Sequence, residues 1–389
     1  MQSKLIFPEL SYVGLGAIDN LYNEVKKLEV SKIIVITEKN LVDLGICSKA
    51  LESIMSAYSI ELYMDVVPEP PLQTAEKLVQ HIRNGKFDLV IGVGGGSALD
   101  LAKLGAVLAE NDGDVKDYLN LTGSKQIIQK GLPKIMIPTT SGTGSEVTDI
   151  AVLSLEGTKD VVTHPYLLSD IAIVDPVLTM SVPPRITAAT GIDALTHAIE
   201  AYISVNANDV TDGIAVKAIE LVGKSLEIAY SNGNNEEARE QMSTASYMAG
   251  LAFYNAGVGG VHALAYPLGN RFKLPHGESN AVLLPYVMDY IRGGCQEKLA
   301  EVNLKLNQQV QQIGSVEQMS KDCVDTLFKL NQNLNLPTSL KDYGIEKQHI
   351  KMLTDDAVKQ TRLLVRSPVE LQWEDIYQIY SSAYEGKTL

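Results

Sequence analysis

A doubly wound, mainly parallel α/β domain followed by an all-α domain is the fold class that the sequence predicts, on three observations. Between residues 30 and 180, short β-branched runs alternate with amphipathic helical patterns, the pattern of parallel strands joined by crossover helices. After Pro183-Pro184 the β-branched runs give way to long stretches of helical period. The 389 residues suit two domains, and an apolar content of 45% is enough to fill both cores. The boundary is expected near residue 181, with 1–181 as the first domain and 182–389 as the second.

Lys32–Thr37 (KIIVIT) reads as a buried strand and 40–58 as a helix. A strand over 60–66 and a helix over 72–84, opened by Pro70-Pro71, come next. The run 88–93 (DLVIGV) is a strand leading straight into a glycine turn and a helical pattern over 98–109. Lys134–Pro138 and 170–175 supply further strands. In the second half, helices are expected over 187–203, 209–229, 236–252, 258–269, 279–292, 297–313, 315–333 and 373–385.

The charge balance, 33 basic against 47 acidic residues, excludes a nucleic-acid backbone or an anionic membrane surface as the main partner. Cys47, Cys295 and Cys323 are widely spaced and odd in number, so neither a disulfide framework nor a thiolate zinc site is expected, and a reducing compartment fits. No targeting pattern opens the chain, and no apolar run approaches the ~20 residues of a membrane span, so a soluble, cytoplasmic protein is expected.

Four motifs carry chemistry. Gly92-Val-Gly-Gly-Gly-Ser97 lies between a strand and a helix, where glycines let backbone approach a pyrophosphate and the helix N-terminus offers unpaired N–H groups. The alternative is a plain tight turn. Pro138-Thr-Thr-Ser-Gly-Thr-Gly-Ser-Glu146 follows another strand, and its hydroxyls suit a cofactor's phosphates and ribose, although such loops are common. Asp193 and His197 are four residues apart, on one helical face and close enough to share a metal. A solvated pair is the commoner meaning of that spacing, but apolar flanks favour burial here. His262 and His276 complete a set of three imidazoles and one carboxylate suited to Fe²⁺ or Zn²⁺ rather than Mg²⁺ or Ca²⁺. His276, between Pro275 and Gly277, is expected on a constrained turn rather than in a helix. His81, His164 and His349 have polar neighbours and are expected at the surface.

In this order and spacing the motifs resemble those of the iron-containing (group III) alcohol dehydrogenases, over nearly the whole chain from KIIVITEKNLVDLGI to HGESNAVLLPYVMDY. The resemblance implies an N-terminal dinucleotide-binding α/β domain, a helical C-terminal domain and a metal in the cleft between them. It implies Asp193, His197, His262 and His276 as the metal ligands, with Fe²⁺ expected and Zn²⁺ also compatible. Gly95, Gly96 and Ser97 take the place of the pyrophosphate contacts, Thr139, Thr140 and Thr143 that of a second cofactor loop, and Lys159 that of a cofactor-contacting lysine. Phe253 matches an aromatic position lining the nicotinamide and substrate cleft, and Asp149 lies where members line that cleft. A strand-edge cap is an equal alternative for Asp149.

Two departures qualify the resemblance. Tyr266 stands where many members carry a second histidine, so an imidazole base is excluded there, and a cleft wall is favoured over a weaker proton relay. Glu38 replaces an aspartate that accepts hydrogen bonds from the adenosine ribose, and Glu69 replaces a nearby asparagine. Two carboxylates would accept a free 2′-hydroxyl and repel a 2′-phosphate, so NAD is expected over NADP. The implied reaction is hydride transfer between a primary alcohol, or its aldehyde, and NAD. The alternatives are a same-scaffold dehydrogenase for glycerol or a hydroxy acid, or an inactive nucleotide- and metal-binding descendant. The expected assembly is a homodimer or higher homo-oligomer.

Overall fold

The computed structural model describes residues 3–155, 158–307 and 314–388. They divide into two compact units, Phe7–Ser181 and Val182–Leu389, the second joined by the N-terminal segment that ends at Ile6. That segment is held by Asn255, whose amide donates to the Ile6 carbonyl at 2.9 Å and accepts from its N–H at 2.7 Å.

The first unit carries strands β1 (Leu10–Val13), β2 (Lys32–Thr37), β3 (Ser59–Tyr63), β4 (Leu89–Gly94), β5 (Lys134–Pro138), β6 (Ile150–Leu155), β7 (Thr158–Thr163) and β8 (Ile171–Val174). Its helices are α1 (Leu21–Lys27), α2 (Lys39–Asp43), α3 (Ile46–Leu51), α4 (Leu72–Gly85) and α5 (Gly96–Leu108). Six strands pair in parallel in the order β1-β8-β5-β4-β2-β3, and β6 with β7 forms a separate antiparallel hairpin. Alternate residues of each strand face opposite cores. Ile34, Ile36, Val90 and Met136 pack under α4 and α5, whereas Ile33, Val35, Ile91 and Ile135 pack under α1 and α3. β2 and β4 are therefore neighbours whose following helices cover opposite faces, and such a switch point opens a crevice at the strand ends.

A buried ion pair ties this unit together. Lys103 on α5 lies 3.0 Å from Asp100 and donates to the Ser145 carbonyl at 2.9 Å, Thr148 Oγ1 at 3.1 Å and the Ile150 carbonyl at 2.5 Å. Asp100 in turn accepts from Ser145 Oγ at 2.6 Å and from the Val152 N–H at 2.9 Å. The helix after the glycine turn is thus bolted to the hydroxyl-rich loop and to β6.

The second unit is helical: α6 (Pro184–Ile203), α7 (Asp209–Ser231), α8 (Glu236–Ala256), α9 (Gly260–Phe272), α10 (His276–Ile291), α11 (Gln296–Leu306), α12 (Val316–Asn333), α13 (Ile350–Ala357), α14 (Thr361–Leu364) and α15 (Trp373–Glu385). α6 is buried along most of its length, and α7, α8 and α10 pack on it. Gly277, in the first turn of α10, permits one of the closest approaches, because a Cβ there would stand 2.3 Å from the Ala189 carbonyl oxygen of α6.

Several expectations are corrected. The helix over 40–58 divides into α2 and α3, because Gly45 takes a left-handed φ of 74° between them. The strand expected over 60–66 ends at Tyr63. β1, the β6–β7 hairpin, α13 and α14 carry too few residues, or too mixed a pattern, for periodicity to detect. His276 is the first residue of α10 and not on a turn, since Pro275 in extended backbone starts a helix rather than interrupting one. Of the expected 297–313 helix, 308–313 lie outside the described residues. His81 is exposed, but His164 and His349 are half-buried and accept backbone N–H bonds from Tyr166 and Glu346.

Replacing Lys103 with Met leaves Asp100 buried without its counter-charge, which is expected to cost about 3–5 kcal/mol in urea denaturation. The double variant D100N/K103M should recover part of that loss. A single variant as stable as the wild type would show the pair to be without structural weight.

Candidate active site

Asp193 and His197 project from one face of α6, a turn apart. Around Asp193 Oδ1 stand His276 Nε2 at 3.6 Å, His262 Nε2 at 3.9 Å and His197 Nε2 at 4.0 Å. All four donor atoms lie within 4.8 Å of one another. Asp193, His197 and His262 are buried, and His276 is partly open. Burial alone would push the Asp193 carboxyl up, but the three imidazoles and the Asn280 amide overcome it and hold the group below the usual carboxylate range. Asn280, one turn after His276, donates from Nδ2 to Asp193 Oδ1 at 2.7 Å, and the same nitrogen lies 3.2 Å from His262 Nε2.

The rings are packed as well as paired. Phe253 stacks on His197 at 4.3 Å, His197 stacks on His262 at 4.6 Å, and Tyr266 lies tilted 5.9 Å from His276. Behind His262 stands Glu200, buried on α6 and 2.6 Å from His262 Nδ1. Its other oxygen accepts from the Val261 N–H at 2.6 Å.

In the α/β unit, the glycine turn lies at the carboxyl end of β4, beside the end of β2. Gly95 caps α5, and Gly96 and Ser97 open it. Thr139 donates its N–H to the Gly94 carbonyl at 3.0 Å, Thr140 lies over Gly95, and Thr143 packs on Gly96. Ser97 Oγ accepts from the Glu69 N–H at 3.2 Å, and the Glu69 carboxylate accepts from Lys159 at 2.7 Å. The second negative charge expected at Glu69 is therefore offset by Lys159. Glu38 follows β2, packs against Gly94 and accepts from the Gly95 N–H, and burial pushes its carboxyl up to about 7. Asp149, where the chain enters β6, accepts from Thr163 Oγ1 at 3.3 Å across the hairpin.

The chain matches family models along most of its length. Residues 8–176 match the model described as iron-containing alcohol dehydrogenase, and residues 187–384 match the C-terminal model of the Fe-containing alcohol dehydrogenase family. The chain belongs to the iron-containing alcohol dehydrogenase family. It is 58% identical to Long-chain-alcohol dehydrogenase 1 of Geobacillus thermodenitrificans, over 99% of this chain and 97% of that one. Lactaldehyde reductase of Escherichia coli K12 is 33% identical over 99% of this chain and all of its own length. A crystal structure of 1,3-propanediol oxidoreductase superposes with a TM-score of 0.94 at 32% identity, covering 99% of this chain and 100% of its own. The sulfoacetaldehyde reductase of Bifidobacterium kashiwanohense, solved with NAD⁺, superposes with a TM-score of 0.87 at 32% identity, over 98% of this chain and 99% of that one.

In this member of the iron-containing alcohol dehydrogenase family, Glu200, Asn280, Asp100 and Lys103 escaped sequence reasoning. Glu200 extends the Asp193–His197 stripe to i+7 on α6, and Asn280 is i+4 from His276. The first spacing is present in the helix expected over 187–203 but does not show what Glu200 meets, and the second becomes visible only once α10 is known to start at His276.

Two carboxyls of the α/β unit, the half-buried Glu38 and the buried Glu146, are each raised by desolvation to about 7 from an ordinary 4.5. The folded state holds these protons more tightly than the unfolded chain, so their contribution to stability is complete below pH 4.5 and is lost as pH rises to about 7. Thermal scans of E146Q should show a smaller fall in Tm between mildly acidic and mildly alkaline buffer than the wild type. An equal fall in both proteins would refute the assignment.

Proposed function

We propose that Asp193, His197, His262 and His276 hold a divalent iron, with zinc the alternative that this donor set also accepts, and that the protein interconverts primary alcohols and aldehydes with NAD. The observation that carries the proposal is the convergence of three imidazole nitrogens and one carboxylate oxygen within 4.8 Å, which suits a divalent transition metal. When bound, the metal supplies Lewis acidity toward an alcohol or carbonyl oxygen, and the nicotinamide supplies the carbon that exchanges hydride.

The chain's own residues bind, orient and exclude water. Gly96 and Ser97 offer backbone N–H groups at the N-terminus of α5 to a pyrophosphate, with Gly95, whose N–H is given to Glu38, the Thr139, Thr140 and Thr143 hydroxyls and Lys159 beside them. Glu38 at the end of β2 is placed to accept ribose hydroxyls and to disfavour a 2′-phosphate. Phe253, stacked on His197, closes one side of the imidazole cluster to water and forms an apolar cleft surface. Tyr266 is a wall beside His276. The Thr163 contact gives Asp149 a local role that accounts for its carboxylate, so an extended primary alcohol, as the name of the 58% identical relative suggests, is preferred to a polyol.

The assembly is proposed to be a homodimer or higher homo-oligomer. β1 is an edge strand, and Val13 and the nearby Leu15 are exposed there, a combination that favours pairing with a second copy. No described helix is long and apolar enough to cross a membrane. The three free, buried cysteines fit a reducing, cytoplasmic setting.

Metal analysis and NADH formation over a series of primary alkanols test the reading. H262A and H276A should each lose retained metal and most activity, and wild-type turnover by either metal-stripped variant would refute the ligand assignment. Wild-type kcat/KM should be higher with NAD⁺ than with NADP⁺. A ratio at or below unity would remove Glu38 as the discriminator.

A further inference from the structure

Glu200 belongs to none of the motifs that the family resemblance carries, yet it is buried in the helical unit with both oxygens engaged. Oε1 accepts from the Val261 N–H at 2.6 Å, and Oε2 lies 2.6 Å from His262 Nδ1 and 3.4 Å from the His262 N–H. Val261 and His262 stand in the first turn of α9, where backbone N–H groups lack intrahelical acceptors, and no side chain of the preceding Gly259 caps them.

The polar contacts determine the ring's tautomer. Asp193 as a carboxylate only accepts, so the Asn280 atom 2.7 Å away is the amide nitrogen. That nitrogen has one further hydrogen and lies 3.2 Å from His262 Nε2 and 3.4 Å from His276 Nε2, an arrangement that suits a lone pair on Nε2. Glu200 as a carboxylate also only accepts, so the 2.6 Å contact places a proton on Nδ1, and a neutral imidazole then has none on Nε2. The lone pair so exposed on Nε2 is the one directed toward Asp193, the side on which a metal would be held.

We infer that Glu200 is a positioning residue for the metal centre, locking His262 in the Nδ1–H tautomer while anchoring the start of α9. This rests on the metal reading proposed above. A glutamine is nearly isosteric but cannot serve both contacts. With its NH₂ toward Val261, donor meets donor. With its NH₂ toward Nδ1, the ring proton is driven onto Nε2 and the metal-facing lone pair is lost.

The test uses the full chain and Zn²⁺ as the probe, with affinity measured by competition against a chromogenic chelator. The His262 tautomer is read by ¹⁵N–¹H NMR of the metal-free protein. E200Q should bind Zn²⁺ about 10–100-fold more weakly than the wild type and should carry its proton on Nε2. Y380F is the control for general loosening of α9, because Tyr380 Oη donates to the Leu264 carbonyl at 2.6 Å on the same helix. It should lower stability with Zn²⁺ affinity unchanged. E200Q binding as tightly as wild type, or binding weakly with the Nδ1–H tautomer intact, would overturn the inference. If E200Q does not fold, E200D decides. Retention of both the tautomer and Zn²⁺ affinity is expected, and lost affinity with the tautomer retained would overturn it. Wild-type protein that bound no Zn²⁺ would instead remove the metal reading itself.

Discussion

The helical unit depends on a carboxylate that has been taken out of water. Asp193 lies on a helix buried along most of its length, where an isolated charge costs several kcal/mol. It is tolerated because three imidazoles and an amide converge on it, from α6, α9 and α10. The convergence is mechanical as well as electrostatic. Gly277 lets α10 close on α6, Glu200 anchors the start of α9, and the His197 ring is clamped between Phe253 and His262. The four converging side chains are thus held in part by residues outside their own set.

The α/β unit solves a similar problem by a different arrangement. Lys103 and Asp100 are a buried pair with further donors and acceptors around both members, and the groups they bind belong to the loop and strand that follow the glycine turn. Glu38 is treated otherwise. Its burial against the glycine turn is relieved by the backbone N–H groups of Gly95 and of Glu38 itself and by a carboxyl raised to about 7, so it is poised between its charged and neutral forms near neutrality. Glu69, whose N–H is bonded to Ser97 Oγ in the same turn, is instead paired with Lys159.

Much of this was legible in the chain. Lys32–Thr37 and Lys134–Pro138 are written as uninterrupted apolar runs because both faces of a parallel strand are covered. The Asp193–His197 spacing and the glycine turn carry their geometry locally, since a helix face and a strand-to-helix turn are settled within a few residues. The weak elements were those without a period of their own. β1 has four residues and exists because β8, more than 150 residues later, is beside it. The 40–58 segment reads as one helix, and Gly45 breaks it through a left-handed φ that composition alone does not impose.

By itself, then, the sequence determined the two fold classes, the strands at the sheet centre, and the four residues that converge as a candidate metal set. Those features are short-range or rest on side-chain chemistry, which survives without knowledge of the fold. Only the tertiary structure decided that His276 begins a helix, that Asn280 bridges Asp193 and His262, and that Glu200 stands behind His262. Glu200 and His262 are 62 residues apart, and the bond between them follows from how α6 and α9 pack. Hydrogen-bond polarity must be satisfied wherever packing removes water, and where that happens is a property of the assembled helices rather than of any one segment.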